Sequence, residues 1–184
     1  MELNLKGRTA LVTGGSRGIG FGVAERLAAE GCNLHLASRS ADSLEAARKK
    51  LIDTYGVKVT VHALDLSTHD NAVKLVRACG SLDILINNAG AIPQGTLTAL
   101  DDKTWREAWD LKVFGFINVA REVYREMCEK KCGVIINVAG TAGERPVANY
   151  IAGSMANAAL MAMSRALGGD SPNYGVRVIA INPG

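Results

Sequence analysis

The chain has 184 residues, 48% hydrophobic and 21% charged, with a mean hydropathy of +0.09. That supports one sizeable core and excludes a disordered chain. The net charge of +3 comes without a basic block carrying interleaved aromatics, which ranks nucleic-acid binding far below small phosphate-bearing ligands. No run of 18 apolar residues and no signal-peptide core occur, so the expectation is a soluble cytoplasmic protein with no membrane and no nucleic-acid partner.

Strand-like and helical segments alternate along the chain. A strand over Thr9–Thr13 leads into a helix over Gly18–Ala29, whose Ile19, Val23, Leu27 and Ala28 share one face and which Gly31 can end. Next come a strand at Asn33–Ala37, a helix at Ser40–Tyr55 and a strand at Lys58–Ala63. A helix follows at Thr68–Cys79, with Thr68 or Ser67 as its cap, and then a strand at Leu82–Ile86. One long helical region is expected over Asp101–Lys131, beginning with a short turn around Asp101–Thr104, then a strand at Val134–Val138, a helix at Tyr150–Leu167 and a sixth strand at Val176–Ile181. The strands are apolar at successive positions, the mark of strands buried on both faces. The pattern predicts one α/β domain over residues 1–184, a doubly wound parallel sheet with helices on both faces. The chain ends at Asn182, Pro183 and Gly184, directly after the sixth strand, where such folds place functional loops. An incomplete protein is therefore expected.

Cys32, Cys79, Cys128 and Cys132 show no CxxC, and Cys128 and Cys132 are expected on one helix face. His35, His62 and His69 form no spaced ligand set. Reduced thiols, structural histidines and no metal site are expected.

Thr13, Gly14, Gly15, Ser16, Arg17, Gly18, Ile19 and Gly20 join the first strand to the first helix. Glycines there permit a tight turn and close backbone approach to a diphosphate, and the helix N-terminus offers amide donors and a favourable dipole. From Leu5 onward the chain resembles the short-chain dehydrogenase/reductase family, with its Rossmann-type fold. The resemblance rests on Thr13-Gly14-x-x-x-Gly18-x-Gly20, Asp65-Leu66, Asn87-Asn88-Ala89-Gly90 and Asn182-Pro183-Gly184, in that order. It implies a cofactor held by Gly14, Ser16, Arg17, Gly18, Ile19, Gly20, Ser38, Arg39, Asp65, Leu66, Asn88, Ala89, Gly90, Tyr150, Pro183 and Gly184. It also implies a further substrate-binding region and a seventh strand, which this sequence lacks. A NAD site wants a carboxylate at the end of the second strand; here Ser38 stands there, followed by Arg39, with Arg17 in the glycine loop. Two guanidinium groups suit a 2′-phosphate, so NADP(H) is favoured over NAD(H).

The same resemblance implies a catalytic serine, tyrosine, lysine and asparagine. Tyr150 occupies the tyrosine place, but the lysine place, four residues later, is Ser154. The serine place falls on Gly140, with Thr141 beside it as a substitute hydroxyl or ordinary turn structure. The asparagine place is Lys112. Because a phenol with a pKa of about 10 is a poor base, a neighbouring cation matters. Lys112 either restores that cation from another helix or is tethered elsewhere. Glu144 and Arg145 either touch substrate or solvate the loop, and the four-residue spacing of Trp105 and Trp109 reads as packing. The expected activity is hydride transfer between NADP(H) and a small-molecule carbonyl or alcohol; the alternative is a cofactor-binding protein with little turnover. A homodimer or homotetramer is expected, with Ala152, Ala156, Ala159 and Met163 as contact positions, though an ordinary core-facing stripe explains part of that pattern.

Overall fold

The computed structural model describes residues 3–183. Six parallel strands, β1 (Thr9–Thr13), β2 (Asn33–Ser38), β3 (Val59–Ala63), β4 (Ile84–Asn87), β5 (Gly133–Val138) and β6 (Val176–Ile181), form one sheet in the order β3-β2-β1-β4-β5-β6. Side chains alternate between faces. Ala10 and Val12 pack with helices α1 (Gly18–Ala29) and α2 (Ala41–Tyr55), while Leu11 packs with α3 (His69–Cys79) and α5 (Gly115–Lys130). Phe116 of α5 joins Leu160 and Met161 of α6 (Ile151–Asp170) in a smaller cluster. With apolar layers on both sides, the centre of the sheet is closed to water. The strand order reverses between β1 and β4, which opens a crevice at their C-terminal ends.

The helix ends follow local chemistry. Ser40 caps α2 by accepting from the Ser43 amide, and Gly56 closes it at φ +67°. Thr68 is the N-cap residue of α3, but its side chain makes no capping hydrogen bond. Strand β4 starts two residues later than the apolar run implies. Asp83 there is engaged by β1, its carboxylate accepting from the Thr9 amide at 2.9 Å and from Arg8 at 3.0 Å.

The expected long helix over 101–131 is three pieces: α4 (Asp102–Trp109), a π-helical turn (Asp110–Phe114) and α5. Such a turn inserts one residue and rotates the next helix, and such turns concentrate at functional sites. Lys112 lies within it. Helix α5 ends at Lys130, followed by Lys131 at φ +53°, so Cys132 falls outside the helix and does not share a face with Cys128. Ala152 and Ala156 are fully buried within the chain and cannot be intersubunit contacts as expected from sequence.

The histidines also depart from expectation. His35 Nδ1 and His62 Nε2 are 2.9 Å apart, the rings stack, and Cys79 Sγ lies 3.8 Å from His62 Nε2. Ligating atoms of all three fall within 4.8 Å of one another. Burial lowers both imidazole pKa values, His35 to about 4, and pushes the Cys79 thiol up to about 12. The uncharged forms are thus favoured, with one imidazole donating to the other.

Candidate active site

The cofactor side is built on glycine. Gly14 sits at φ +65°, and a Cβ on Gly20 would lie 2.2 Å from the Gly14 carbonyl oxygen and 2.6 Å from Asn88 Nδ2. Only glycine lets the first turn of α1 approach this loop so closely. The Thr13 hydroxyl accepts from the amides of Asn88 at 2.9 Å and Ala89 at 3.0 Å, and Asn88 Nδ2 donates to the Thr13 carbonyl at 3.1 Å. The loops after β1 and β4 are thereby locked together.

Between them runs a cleft of about 570 Å³. Gly14, Ser16, Arg17, Gly18, Ile19, Ser38, Arg39, Leu66, Asn88, Ala89 and Gly90 line it, all expected from the sequence. Asp65 lies to one side, in the adjoining depression with Arg39; its carboxylate accepts from the Ser67 amide. Gly20 acts from beneath as the close-approach residue. Ser38 lines the cleft, and its buried hydroxyl has no hydrogen-bond partner among the described residues. An orphaned donor beside two guanidinium groups, above a glycine cradle, fits a phosphorylated ribose and diphosphate.

A second cavity of about 220 Å³ holds Lys112, Gly140, Thr141, Tyr150, Asn157 and Pro183. Gly90 lines both cavities, so the two adjoin at that residue. Gly184 lies outside the described residues. Tyr150 precedes α6, and its ring lies against Gly153: a Cβ there would be 2.0 Å from the Tyr150 Cζ. Its carbonyl accepts from the Ser154 amide at 2.8 Å. Burial raises the phenol pKa.

Lys112 reaches the cavity from the π-helical turn. Its Nζ donates to the Val138 carbonyl at 2.9 Å and lies 4.7 Å from the centre of the Phe116 ring. Burial lowers its pKa to about 8, which still leaves it mainly charged at pH 7. Its stem presses on Gly90, where a Cβ would fall 2.4 Å from Lys112 Cδ. An ammonium has three donors, and the bond to Val138 uses one.

Ser154 is outside this cavity. Its hydroxyl accepts from the Val147 amide at 3.0 Å and so pins the loop before Tyr150. Ser154, expected from sequence among the catalytic residues, is thus not brought into the cavity with Tyr150. Gly140 supplies space rather than a functional group, and Thr141 lines the cavity from an exposed position. Glu144 accepts from Asn182 at 3.0 Å, Arg145 is exposed, and Trp109 Nε1 donates to the Ala152 carbonyl, tying α4 to α6.

Sequence reading missed Asn157, on α6 seven residues after Tyr150. Its signal was a lone carboxamide at two-turn spacing in an otherwise apolar helix. It also missed the polar chain from Asn87 through Asn137 to Ser164, with steps of 3.2 and 2.9 Å, which ties β4, β5 and α6 beneath the site.

Comparison with known proteins agrees with this geometry. The family model for short chain dehydrogenases matches residues 8–184. The chain belongs to the short-chain dehydrogenase/reductase family. Members of this family are NAD(P)-dependent oxidoreductases. Among its relatives is the 3-oxoacyl-acyl-carrier-protein reductase FabG of Chlamydia muridarum, 30% identical over 188 residues covering 100% of this chain and 76% of the relative. The corresponding Escherichia coli reductase is 31% identical, covering 99% of this chain and 75% of its own length. The structure of L-sorbose reductase from Gluconobacter frateurii, complexed with NADPH and L-sorbose, superposes with a TM-score of 0.96 at 32% identity, covering 100% of this chain and 72% of that one. An NAD⁺-bound xylitol dehydrogenase superposes with a TM-score of 0.92 at 28% identity, covering 98% of this chain and 71% of that one. The family thus includes proteins bound to either cofactor. Among the described residues, no helix is long and apolar enough to cross a membrane.

Proposed function

We propose that the protein is an NADP(H)-dependent reductase of a small carbonyl compound, or the reverse alcohol dehydrogenase, with Tyr150 moving the proton and Lys112 supplying the cation that stands four residues after the tyrosine in relatives. The single observation that carries this reading is the shared cavity of Lys112 and Tyr150, which adjoins the cofactor cleft at Gly90. The dinucleotide, when bound, supplies the hydride at its nicotinamide C4. The chain's own residues do the rest. Ser38, Arg39 and Arg17 bind the 2′-phosphate, and the Gly14–Gly20 loop carries the diphosphate at the start of α1. Asp65, Leu66, Asn88, Ala89 and Gly90 line the adenosine side and the passage to nicotinamide, and Pro183 flanks the reaction end. In reduction, Tyr150 donates its proton to the substrate oxygen as hydride reaches the carbon, so the product is the neutral alcohol and the phenolate left behind faces the Lys112 ammonium.

A second reading has its own observation. Burial raises the Tyr150 pKa, and Lys112 donates to the Val138 carbonyl. A cofactor-binding protein with little turnover would look the same. The decisive experiment measures NADPH and NADH binding, then NADPH oxidation across ketoses, 3-oxoacyl esters and aldehydes. Tight NADPH binding with turnover in the wild type, and binding without turnover in Lys112→Met, supports the reductase. NADPH binding without turnover in the wild type supports the second reading, and tighter NADH binding overturns the phosphate site.

We also propose a homo-oligomer. Phe114, 50% exposed, and Met155, 47% exposed, place apolar surface beside α5 and α6. Analytical ultracentrifugation showing a monomer at micromolar concentration would reject it.

A further inference from the structure

Among the described residues, four asparagines are buried: Asn87, Asn118, Asn137 and Asn157. Three have side-chain hydrogen bonds within the chain. Asn87 donates to the Phe116 carbonyl and to Asn137, Asn137 donates to Ser164, and Asn118 accepts from Arg121. Asn157 is only 4% exposed, yet no hydrogen bond among the described residues engages its carboxamide. Among the described residues the sealed side-chain N and O atoms without a partner belong to Ser38, Ser171 and Asn182, so the Asn157 carboxamide is not sealed in the core but opens onto the cavity. It lies in the interior of an apolar helix, where asparagine is a poor choice on propensity. Neither packing nor helix formation explains it.

Its surroundings do. The carboxamide lines the cavity that holds Tyr150 and Lys112. A Cβ on Gly140 would come within 3.0 Å of Asn157 Nδ2, 3.4 Å of Cγ and 3.5 Å of Oδ1. The side chain that the serine place would project is thus replaced in space by the Asn157 amide, and glycine at 140 makes room for it. The two positions are 17 residues apart and meet because the Thr141–Gly143 turn, which Gly140 opens, packs against α6.

We infer that Asn157 is a catalytic residue whose carboxamide holds the substrate oxygen, replacing a hydroxyl on the strand side with an amide on the helix side. The inference rests on the oxidoreductase reading and names the oxygen-binding group of that site. A side-chain amide offers an N–H donor to a carbonyl oxygen and a C=O acceptor to an alcohol hydroxyl, so it serves both directions. As hydride reaches the carbonyl carbon, negative charge grows on the oxygen. A donor already fixed in a buried cavity is worth most at that moment. Tyr150 then gives the proton; Asn157 exchanges none. Three departures from the family pattern become one rearrangement: the cation moves to Lys112, the oxygen holder moves to Asn157, and Ser154 is left to hold the loop.

The test uses the full chain and two readouts. The first is NADPH-dependent turnover on the carbonyl panel. Asn157→Ala is expected to lower kcat/KM by about 10²–10³-fold, the usual loss of one such donor, with NADPH affinity changed less than about twofold. Gly140→Ser alone is expected to impair turnover, since its side chain meets the Asn157 amide. Gly140→Ser together with Asn157→Ala is expected to recover about tenfold over Asn157→Ala, a rescue that a merely structural asparagine would not show. The second readout needs no turnover: binding of trifluoroethanol to the protein saturated with NADP⁺, followed by fluorine NMR. Asn157→Ala is expected to weaken it about tenfold. Wild-type turnover unaffected by Asn157→Ala overturns the assignment, as does trifluoroethanol binding that is absent in the wild type or unchanged in the variant. A wild type that binds trifluoroethanol through Asn157 yet reduces nothing rejects the reductase reading and leaves the oxygen site standing.

Discussion

Lys112→Met separates a functional lysine from a structural one. In the folded chain the Lys112 pKa falls from the ordinary 10.5 to about 8 because the group is buried. Each pKa unit corresponds to about 1.4 kcal/mol, so keeping the charged form buried costs about 3 kcal/mol. The bond to the Val138 carbonyl and the Phe116 ring return part of this, about 1–2 kcal/mol together. Methionine keeps the stem that packs on Gly90 and removes the charge. The variant is therefore expected to be more stable than wild type by about 1–2 kcal/mol at pH 7 while losing turnover. The sign with pH comes from the same shift. The folded pKa lies below the unfolded one, so the folded chain binds fewer protons between about 8 and 10.5. Wild-type stability then rises across that window, and the gap to Lys112→Met closes. Urea unfolding at about pH 7 and pH 10, with the m-value checked for constancy, reads both effects. A methionine variant that is less stable than wild type and turns over normally would refute the reasoning, for Lys112 would then be a tether.

Gly153→Ala should drive the Tyr150 ring from its seat, since the new Cβ would overlap it; turnover falls by roughly 10²-fold while NADPH binding persists, and a fully active variant would contradict the placement. Arg39→Ala should weaken NADPH binding about tenfold or more and leave NADH nearly unchanged, as calorimetry would show; equal losses for both would count against a 2′-phosphate contact. The low pKa of His35, about 4, makes stability fully present above about 6.5 and lost as pH falls toward 4, because the unfolded chain takes up the proton first. Allowing for solvent near the half-buried ring, the loss is about 1–2 kcal/mol, and His35→Phe should flatten the acid limb of a denaturation-midpoint profile.

Much of the fold is legible in the sequence because its signals are local. Strands with apolar residues at successive positions must be covered on both faces, so a parallel sheet between helices reads directly, while the place of β1 and β4 at its centre comes from the structure. The glycines between Thr13 and Gly20 read as a phosphate loop because turn, strand and helix are contiguous. The helix over 101–131 misleads for the complementary reason. Its residues favour helix throughout, and the choice of a π turn at Asp110–Phe114 depends on packing against other elements, including the close approach of Gly115 to the Leu66 carbonyl. His35 and His62 sit on different strands, and Cys79 ends a helix, so periodicity carries no trace of their meeting.

The sequence by itself determined the doubly wound sheet, the glycine cradle, the missing carboxylate at Ser38 and the loss of lysine at position 154. These follow from residue type and spacing within a few turns of chain. Only the tertiary structure decided which groups meet at the cavity. It brought Lys112 into the cavity of Tyr150, engaged the Ser154 hydroxyl with Val147, and set the Asn157 amide against the bare α-carbon of Gly140. These residues lie far apart in the chain, and only the packing of the π-helical turn, the segment after β5 and α6 around one cavity brings them together, which no local spacing records.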